Sequence, residues 1–449
     1  MMRALVVAYY FPPKGGAGTQ RFAKFCKFLP EHGIVPTVVS VAEDVKSAYA
    51  PTDDASLAIG AVTEVVRIAT PAPSARQRLQ RLLRLQIDDD VWATAAAERA
   101  LAVARERRAE VVVTTLSPYA CYRIGERLQR ELGIPWVVDL RDPWALDGWR
   151  VHPTSVHAAL DLRHMRRALT RADFVIANVP ESRREFVALG ADPARTVVIP
   201  NGFDPEDFAG TAAAARATDG RFHLAHIGTW HGVDVPAGFT RNRLRRVRHR
   251  QIAPLGRTGH YLLHAVAAWQ RRHGGAGRGL AVDCYGQVDA SHRTLIEQLG
   301  IGDVVTLHGY VPHRASIAAA CAADALFVPL HDVPPQERAL VVPGKLYEAL
   351  ASERPVLAAL PAGDGADLVR GLDAGEVVPP TDAEAIAGAI DRLVQGRPTG
   401  VARTRLLPFT RASLTADLAT VLRAAVARER SVAIVDPWQR LRASGPVPA

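Results

Sequence analysis

Gly15-Gly16-Ala17-Gly18 stands between an apolar run, Ala4 to Tyr10, and a helix-like stretch from about Thr19. Glycines at such a junction let backbone come close to a ligand and present N–H groups at the positive end of a helix. That chemistry receives an anion, phosphate above all; the plainer alternative is a tight turn that needs positive φ. A second candidate is "VPGKLYEALASERPVLAAL" (Val342 to Leu360), where Pro343-Gly344 open a helix. Lys345 and Glu348 are three apart and share a helical face. A lysine in the first turn opposes the helix dipole, which an anionic ligand there would explain. Glu348 is an acceptor suited to ribose hydroxyls; the alternative is an exposed Lys–Glu surface pair. A third is "DLRDPW" (Asp139 to Trp144), which puts Asp139, Arg141 and Asp142 after an apolar strand. Those charges are expected at the carboxyl end of the strand, open to a cleft, or in an Asp-Pro turn. The fifteen histidines show no metal-ligand spacing, so no metal site is inferred.

These residues need a frame. Apolar, β-branched runs of strand length recur along the first half: "ALVVAYY", "VPTVVS", "TEVVRIA", "EVVVTTL", "PWVVDL", "DFVIANV" and "TVVIP". The second half repeats the scheme with "FHLAHIG", "LAVDCYG", "VVTLHGY", "ALFVPL", "RPVLAAL" and "GEVVPP". Helix-length stretches separate most of them. Continuous apolar strands alternating with helices predict βαβ units and buried parallel sheets. The fold class is therefore α/β, with two Rossmann-like doubly wound domains facing across a cleft. The expected divisions are 1–203, a linker at 204–220, and 221–408 with an inserted basic loop at 231–255. A last helix is expected at about 410–430, and a mobile tail follows. Ligands of such sheets bind beyond the carboxyl ends of the strands.

Composition narrows the class. A hydrophobic share of 48% with 22% charged residues suits a soluble globular chain. The four cysteines, scattered and without a CxxC pair, suit a reducing compartment. The N-terminal apolar run is short and meets Pro12-Pro13, so it reads as a buried strand rather than a signal peptide. No run approaches the ~18 apolar residues that span a bilayer. The expected location is cytoplasmic. Net charge is +9, and the excess is clustered: "RNRLRRVRHR" (Arg241 to Arg250) holds six arginines. "RQRLQRLLRLQ" (Arg76 to Gln86) sets Leu79, Leu82 and Leu83 on one side of a helical wheel and Arg81 and Arg84 opposite. Such a helix can lie on an anionic membrane, or pack its leucines inward.

"YYFPPKGGAGTQRFAKFCKFLPEHG", "DLRDPW", "NGFDPEDF", "HIGTW" and "GKLYEALASERPVLAALPAGDGADLV" occur in that order. Together they resemble the bacterial family 4 glycosyltransferases of the GT-B fold, over nearly all of residues 3–395. The resemblance implies that the C-terminal domain holds a nucleotide-diphosphate sugar and the N-terminal domain an acceptor. It implies transfer with retention of anomeric configuration and without an obligatory metal or other cofactor. Gly15 and Gly16 match the family's loop near the donor diphosphate. Arg257 matches a basic residue that neutralises the leaving phosphate. Lys345 and Glu348 match the helix that holds diphosphate and ribose, and Gly363, Asp364 and Gly365 the loop beside the donor sugar. Three departures stand out. Tyr119 occupies the position where relatives often carry His. Leu340 stands where the first of a pair of glutamates would be. The arginine-rich insertion separates "HIGTW" from Arg257.

The catalytic set expected is Asp142, Arg257 and Lys345, with Tyr119 and Arg141 positioning the acceptor. Asp142 is the candidate for polar contact with the acceptor hydroxyl. "QIDDDVW" resembles the metal site of the other glycosyltransferase fold, but no apolar strand precedes it, so a helix N-cap cluster is expected. The leading expectation is a glycosyltransferase acting on a glycan or lipid-linked acceptor in bacterial surface or exopolysaccharide synthesis, peripheral on an anionic membrane. The alternatives are a nucleotide-sugar 2-epimerase, a nicotinamide-dependent oxidoreductase and a basic nucleic-acid-binding protein. An oxidoreductase would want an acidic residue closing the second strand, where Ser40 stands. No aromatics interleave Arg241–Arg250, so no nucleic-acid partner is expected.

Overall fold

A computed structural model describes residues 1–15, 17–43, 57, 63–83, 90–211, 219–230, 232, 247–274, 279–396 and 398–443. The chain divides into two compact units. Unit 1 comprises Met1–Asn201, Arg245–Arg250 and Arg411–Arg440; unit 2 comprises Gly202–Leu244, Gln251–Thr410 and Leu441–Ala449.

Unit 1 is built on a seven-stranded parallel sheet. Its strands are β1 (Met2–Val7), β2 (Ile34–Val41), β3 (Glu64–Ile68), β4 (Val111–Leu116), β5 (Trp136–Leu140), β6 (Phe174–Ala177) and β7 (Thr196–Val198). The order is β3-β2-β1-β4-β5-β6-β7, so the chain reverses direction of travel at β1 and β4. β4, β5 and β6 are buried at every position, as expected of parallel strands covered on both faces. The helices are α1 (Ala17–Phe28), α2 (Ala75–Leu82), α3 (Asp90–Glu106), α4 (Tyr122–Leu132), α5 (Ser155–Arg171) and α6 (Pro180–Ala188). One face of the sheet packs on a core with Trp92, Leu128 and Met165; the other packs on Phe22, Phe25, Leu418 and Leu422.

Unit 2 repeats the plan with six parallel strands: β8 (Phe222–Ile227), β9 (Leu280–Tyr285), β10 (Val305–Gly309), β11 (Ala325–Pro329), β12 (Val356–Ala359) and β13 (Gly375–Val378). Their order is β10-β9-β8-β11-β12-β13, with the reversal at β8 and β11. Its helices are α7 (His260–Arg272), α8 (Ala290–Leu299), α9 (His313–Ala322), α10 (Gly344–Ala351), α11 (Asp364–Gly371) and α12 (Ala383–Val394). α13 (Arg411–Val426) returns to unit 1, where Leu414, Leu418 and Leu422 are fully buried.

Two segments differ from expectation. Residues 204–211 are not a loose linker: Pro205–Phe208 forms a 3-10 turn, Phe208 is buried, and Arg403 lies over its ring. Thr211 is buried and receives a hydrogen bond from Cys321 Sγ at 3.5 Å. The segment is short and polar, but its phenylalanine finds a cover. The described part of the tail, up to Ala443, also carries structure where mobility was expected. α14 (Pro437–Ala443) buries Trp438 and Leu441, and Arg440 pairs with Asp417. A single tryptophan supplies enough apolar area to dock a two-turn helix. Residues 212–218 and 241–246, including most of the arginine run, lie outside the described residues.

Candidate functional site

In unit 1 the glycine-rich loop feeds α1 directly. Gly15 is buried and its carbonyl accepts from Thr19 Oγ1 at 3.1 Å. Gly16 lies outside the described residues. Gly18 has a different reason to be glycine. A Cβ there would come within 1.9 Å of Arg141 Nη1. Arg141 therefore crosses the start of α1, and Gly18 makes the space. Its Nη2 donates to Ser117 O and Oγ at 3.2 and 3.3 Å, and its Nε faces Asp142 Oδ2 at 3.4 Å. Asp142 remains 43% exposed while Arg141 is 11% exposed. The two are thus a fixed cation beside an open carboxylate, an arrangement that can orient a hydroxyl.

Asp139 is not among the accessible charges expected of "DLRDPW". It lies inside β5, fully buried, and pairs with Arg21 at 2.6 Å. Arg21 also donates to Ile199 O and Pro200 O at 2.8 Å each, and Thr115 Oγ1 donates to Asp139 at 2.8 Å. Every lone pair and proton finds a partner, which is how a buried ion pair is tolerated. Tyr119 needs the same correction. Its ring is buried, stacked on Trp144 at 4.9 Å, with the Arg150 guanidinium over it at 4.8 Å. Burial first, then Asp142 and Asp147, push its phenol well above the usual range. It braces the Trp144 turn, where Asp161 accepts from Trp144 Nε1 at 2.9 Å and from Arg150. An aromatic after β4 finds more cover there than a histidine would.

In unit 2 the site gathers at the carboxyl ends of the strands. α10 starts at Gly344, and no side chain caps it. Lys345 and Glu348 both line a small pocket with Ile227, Phe327, Ser316 and Ile317. The Lys345 stem lies across Gly228, whose missing side chain makes the room: a Cβ there would meet Lys345 Cε at 3.0 Å, and its φ is +153°. Lys345 stays open to solvent as a residue. The protein around its ammonium desolvates it all the same and holds its pKa below the usual lysine range, with Glu348 opposing. An anion placed there would relieve that penalty.

Glu348 is not simply a surface partner of Lys345. His313, at the start of α9, brings Nε2 to 3.1 Å from Glu348 Oε1. His313 was not among the sequence candidates; it lies 35 residues from Glu348 and carries no local motif. Behind them, Trp230 of "HIGTW" is stacked between His226 at 5.1 Å and His292 at 5.3 Å. Burial pushes the His226 imidazole down to about 4, against the hydrogen bond its Nδ1 makes to Phe327 O.

The remaining candidates sit nearby in the fold. Arg257 is exposed at the end of a 3-10 turn, Pro254–Arg257. Paired backbone bonds between Ala253 and Asp332, at 2.9 and 3.1 Å, hold that turn. Beneath it, burial and then the Arg257 charge push His331 down to about 3. Gly363 takes φ +154° against Ala339 before α11. Asp364 and Gly365 are buried, and Gly365 looks onto Leu360 and Leu346 rather than outward. Gly228, Gly286 and Gly309 each end a strand, and they are linked in a row. Gly228 N donates to Tyr285 O, and Gly286 N to Gly309 O, both at 2.7 Å. A Cβ on Gly286 would lie 2.1 Å from Gly228 O. Among the described residues, no group of three His, Cys, Asp or Glu stands close enough to hold a metal ion.

Two family models match this chain. The glycosyl transferase 4-like domain matches residues 15–202, and glycosyl transferases group 1 matches residues 256–396. These two domains in this order, on two parallel-sheet units, make the chain a GT-B glycosyltransferase. Sucrose-phosphate synthase from Thermosynechococcus elongatus has a similar fold, with a TM-score of 0.59 at 14% identity over 99% of this chain and 97% of that one. HepE of Anabaena, solved with UDP and glucose, gives 0.55 at 18% identity over 96% and 98%. The lipopolysaccharide outer core galactosyltransferase WaaB gives 0.58 at 12% identity over 94% and 99%. No curated protein sequence matches the chain at a significant level.

Proposed function

We propose that the protein transfers a sugar, with retention of anomeric configuration, from a nucleotide-diphosphate sugar to a glycan or lipid-linked acceptor. The setting we infer is bacterial surface or exopolysaccharide synthesis, in the cytoplasm at the inner face of the membrane. The observation that carries the reading is Lys345 with Glu348 in the first turn of α10. There a desolvated cation, its stem across Gly228, and a half-buried carboxylate line one pocket. The structural relative HepE was solved with UDP and with UDP-glucose, and uridine diphosphate sugars are the first donors to try.

Each group then has a task. Lys345 and the first-turn N–H groups of α10 take the diphosphate, and Glu348 accepts from ribose hydroxyls. Arg257 adds positive charge as the sugar–phosphate bond breaks and the leaving diphosphate gains charge. Electrostatic groups fixed in place act most where charge develops in the transition state. The loop that opens α11 at Gly363 lies beside the sugar. Asp142, held by Arg141, orients the acceptor hydroxyl. The positive side chains do the work a divalent metal would otherwise do, so turnover requires no metal.

The test is calorimetric binding of nucleoside diphosphates, with and without excess chelator, followed by turnover of the sugar donors that bind. We expect chelator-insensitive binding of at least one nucleoside diphosphate, lost in Lys345→Ala. A strict magnesium requirement, or no nucleotide binding at all, would refute the reading.

A further inference from the structure

We propose that α2 and the adjoining turn of α5 form a docking surface for an anionic lipid bilayer. This does not rest on the donor assignment above.

α2 spans eight residues, Ala75–Leu82, and buries none of them. Leu79, Leu82 and Leu83 are 56%, 78% and 51% exposed. Of the two readings of this helix, the one that packs its leucines inward is therefore not met. The helix is well made locally: Ser74 and Gln77 form a reciprocal capping box at 3.2 and 2.9 Å. Local caps alone do not hold so short a helix, because helices of this length draw their stability from packing an apolar face. Here that face packs on nothing among the described residues.

The patch extends beyond the helix. His157 Nε2 donates to Leu83 O at 3.0 Å, which joins the end of α2 to the first turn of α5. Val156, one position earlier, is 63% exposed. Four of the nine large hydrophobic side chains exposed among the described residues thus belong to these two joined elements, which makes the patch more than scattered exposure. Arg76, Arg78 and Arg81 are exposed on the same helix, and α2 carries no acidic residue. The occupant must accept leucine side chains and be negatively charged around them. The boundary between acyl chains and anionic headgroups has both properties. A soluble acidic protein partner would offer the charge, but nothing in this patch provides the shape of a groove.

The experiment is vesicle flotation of the full chain with phosphatidylglycerol-containing and pure phosphatidylcholine vesicles. The wild type is compared with two variants, Leu79→Ser with Leu82→Ser and Arg76→Gln with Arg81→Gln. We expect recovery with the anionic vesicles only, reduced roughly tenfold or more by either double substitution. Because α2 buries nothing, both variants keep the wild-type melting temperature. Equal recovery with both vesicle types, or none with either, would overturn the proposal. So would flotation unchanged by the leucine pair. Sedimentation velocity without lipid tests the other occupant: concentration-dependent dimers abolished by the leucine pair would assign the patch to a second copy of the chain.

Discussion

In unit 1 Arg21 and Asp139 close on one another, whereas in unit 2 Lys345 stays available. Arg21 and Asp139 are 1% and 0% exposed and satisfy each other together with Thr115 and two carbonyls. Lys345, at the start of α10, keeps solvent access and lies over a glycine. Both regions carry charge at the carboxyl ends of parallel strands, where a ligand is expected. The difference shows that position in the fold does not decide the role of such a charge. What decides is whether the protein itself provides the counter-charge.

The largest effect that would test this contrast is on stability. Arg21→Ala leaves the Asp139 carboxylate buried without its partner, which costs about 3–5 kcal/mol. Urea unfolding should show it, and a loss below about 1 kcal/mol would mean Arg21 is not the structural member of the pair. Lys345→Ala should do the reverse: an unchanged melting temperature with kcat/KM lowered ten- to hundredfold or more, from a charged hydrogen bond of about 1.5–3 kcal/mol. Wild-type turnover in that variant would end the donor-site reading.

His313→Gln is a finer probe, because His313 touches Glu348 and not the proposed ligand. The donor KM should rise roughly three- to tenfold with kcat nearly constant, the size of one lost hydrogen bond. A fall in kcat at constant KM would contradict a positioning role. The smallest expected effect is a pH slope. Burial works against charge on His223, but hydrogen bonds to Asp283 at 2.9 Å and Asp219 at 3.1 Å prevail and raise its pKa above 6.5. A raised pKa in the fold means stability present below the unfolded value and lost as pH rises through the folded one. The melting temperature should therefore fall between about pH 6 and pH 8, and His223→Gln should flatten that slope.

Each run quoted above contains or overlaps a strand among the described residues, because parallel strands, the part-exposed β3, β10 and β13 included, are mostly apolar runs. Lys345 and Glu348 were readable because a helix start carries local signs in Pro343-Gly344. Arg21 with Asp139 was not, since 118 residues separate them and neither has a local reason to be paired. The same holds for His313 with Glu348. Tyr119 looked like a substituted catalytic position, but Trp144 and Arg150 cover it, and only the fold brings those three together. Trp438 misled for a simpler reason: one aromatic in a proline- and arginine-bearing tail does not show in composition.

The linked glycines at the ends of β8, β9 and β10 have a consequence for change over time. Gly228, Gly286 and Gly309 all hold positive φ, and a Cβ on Gly286 would run into the Gly228 backbone. Gly286 is therefore closed to side chains, and a substitution at Gly228 or Gly309 carries backbone strain. New specificity in unit 2 is expected in the side chains that follow the glycines, where Thr229, Gln287 and Tyr310 are exposed. Libraries built at those positions should yield altered donors, while substitutions at Gly286 should lower the melting temperature more than those at Gly228 or Gly309.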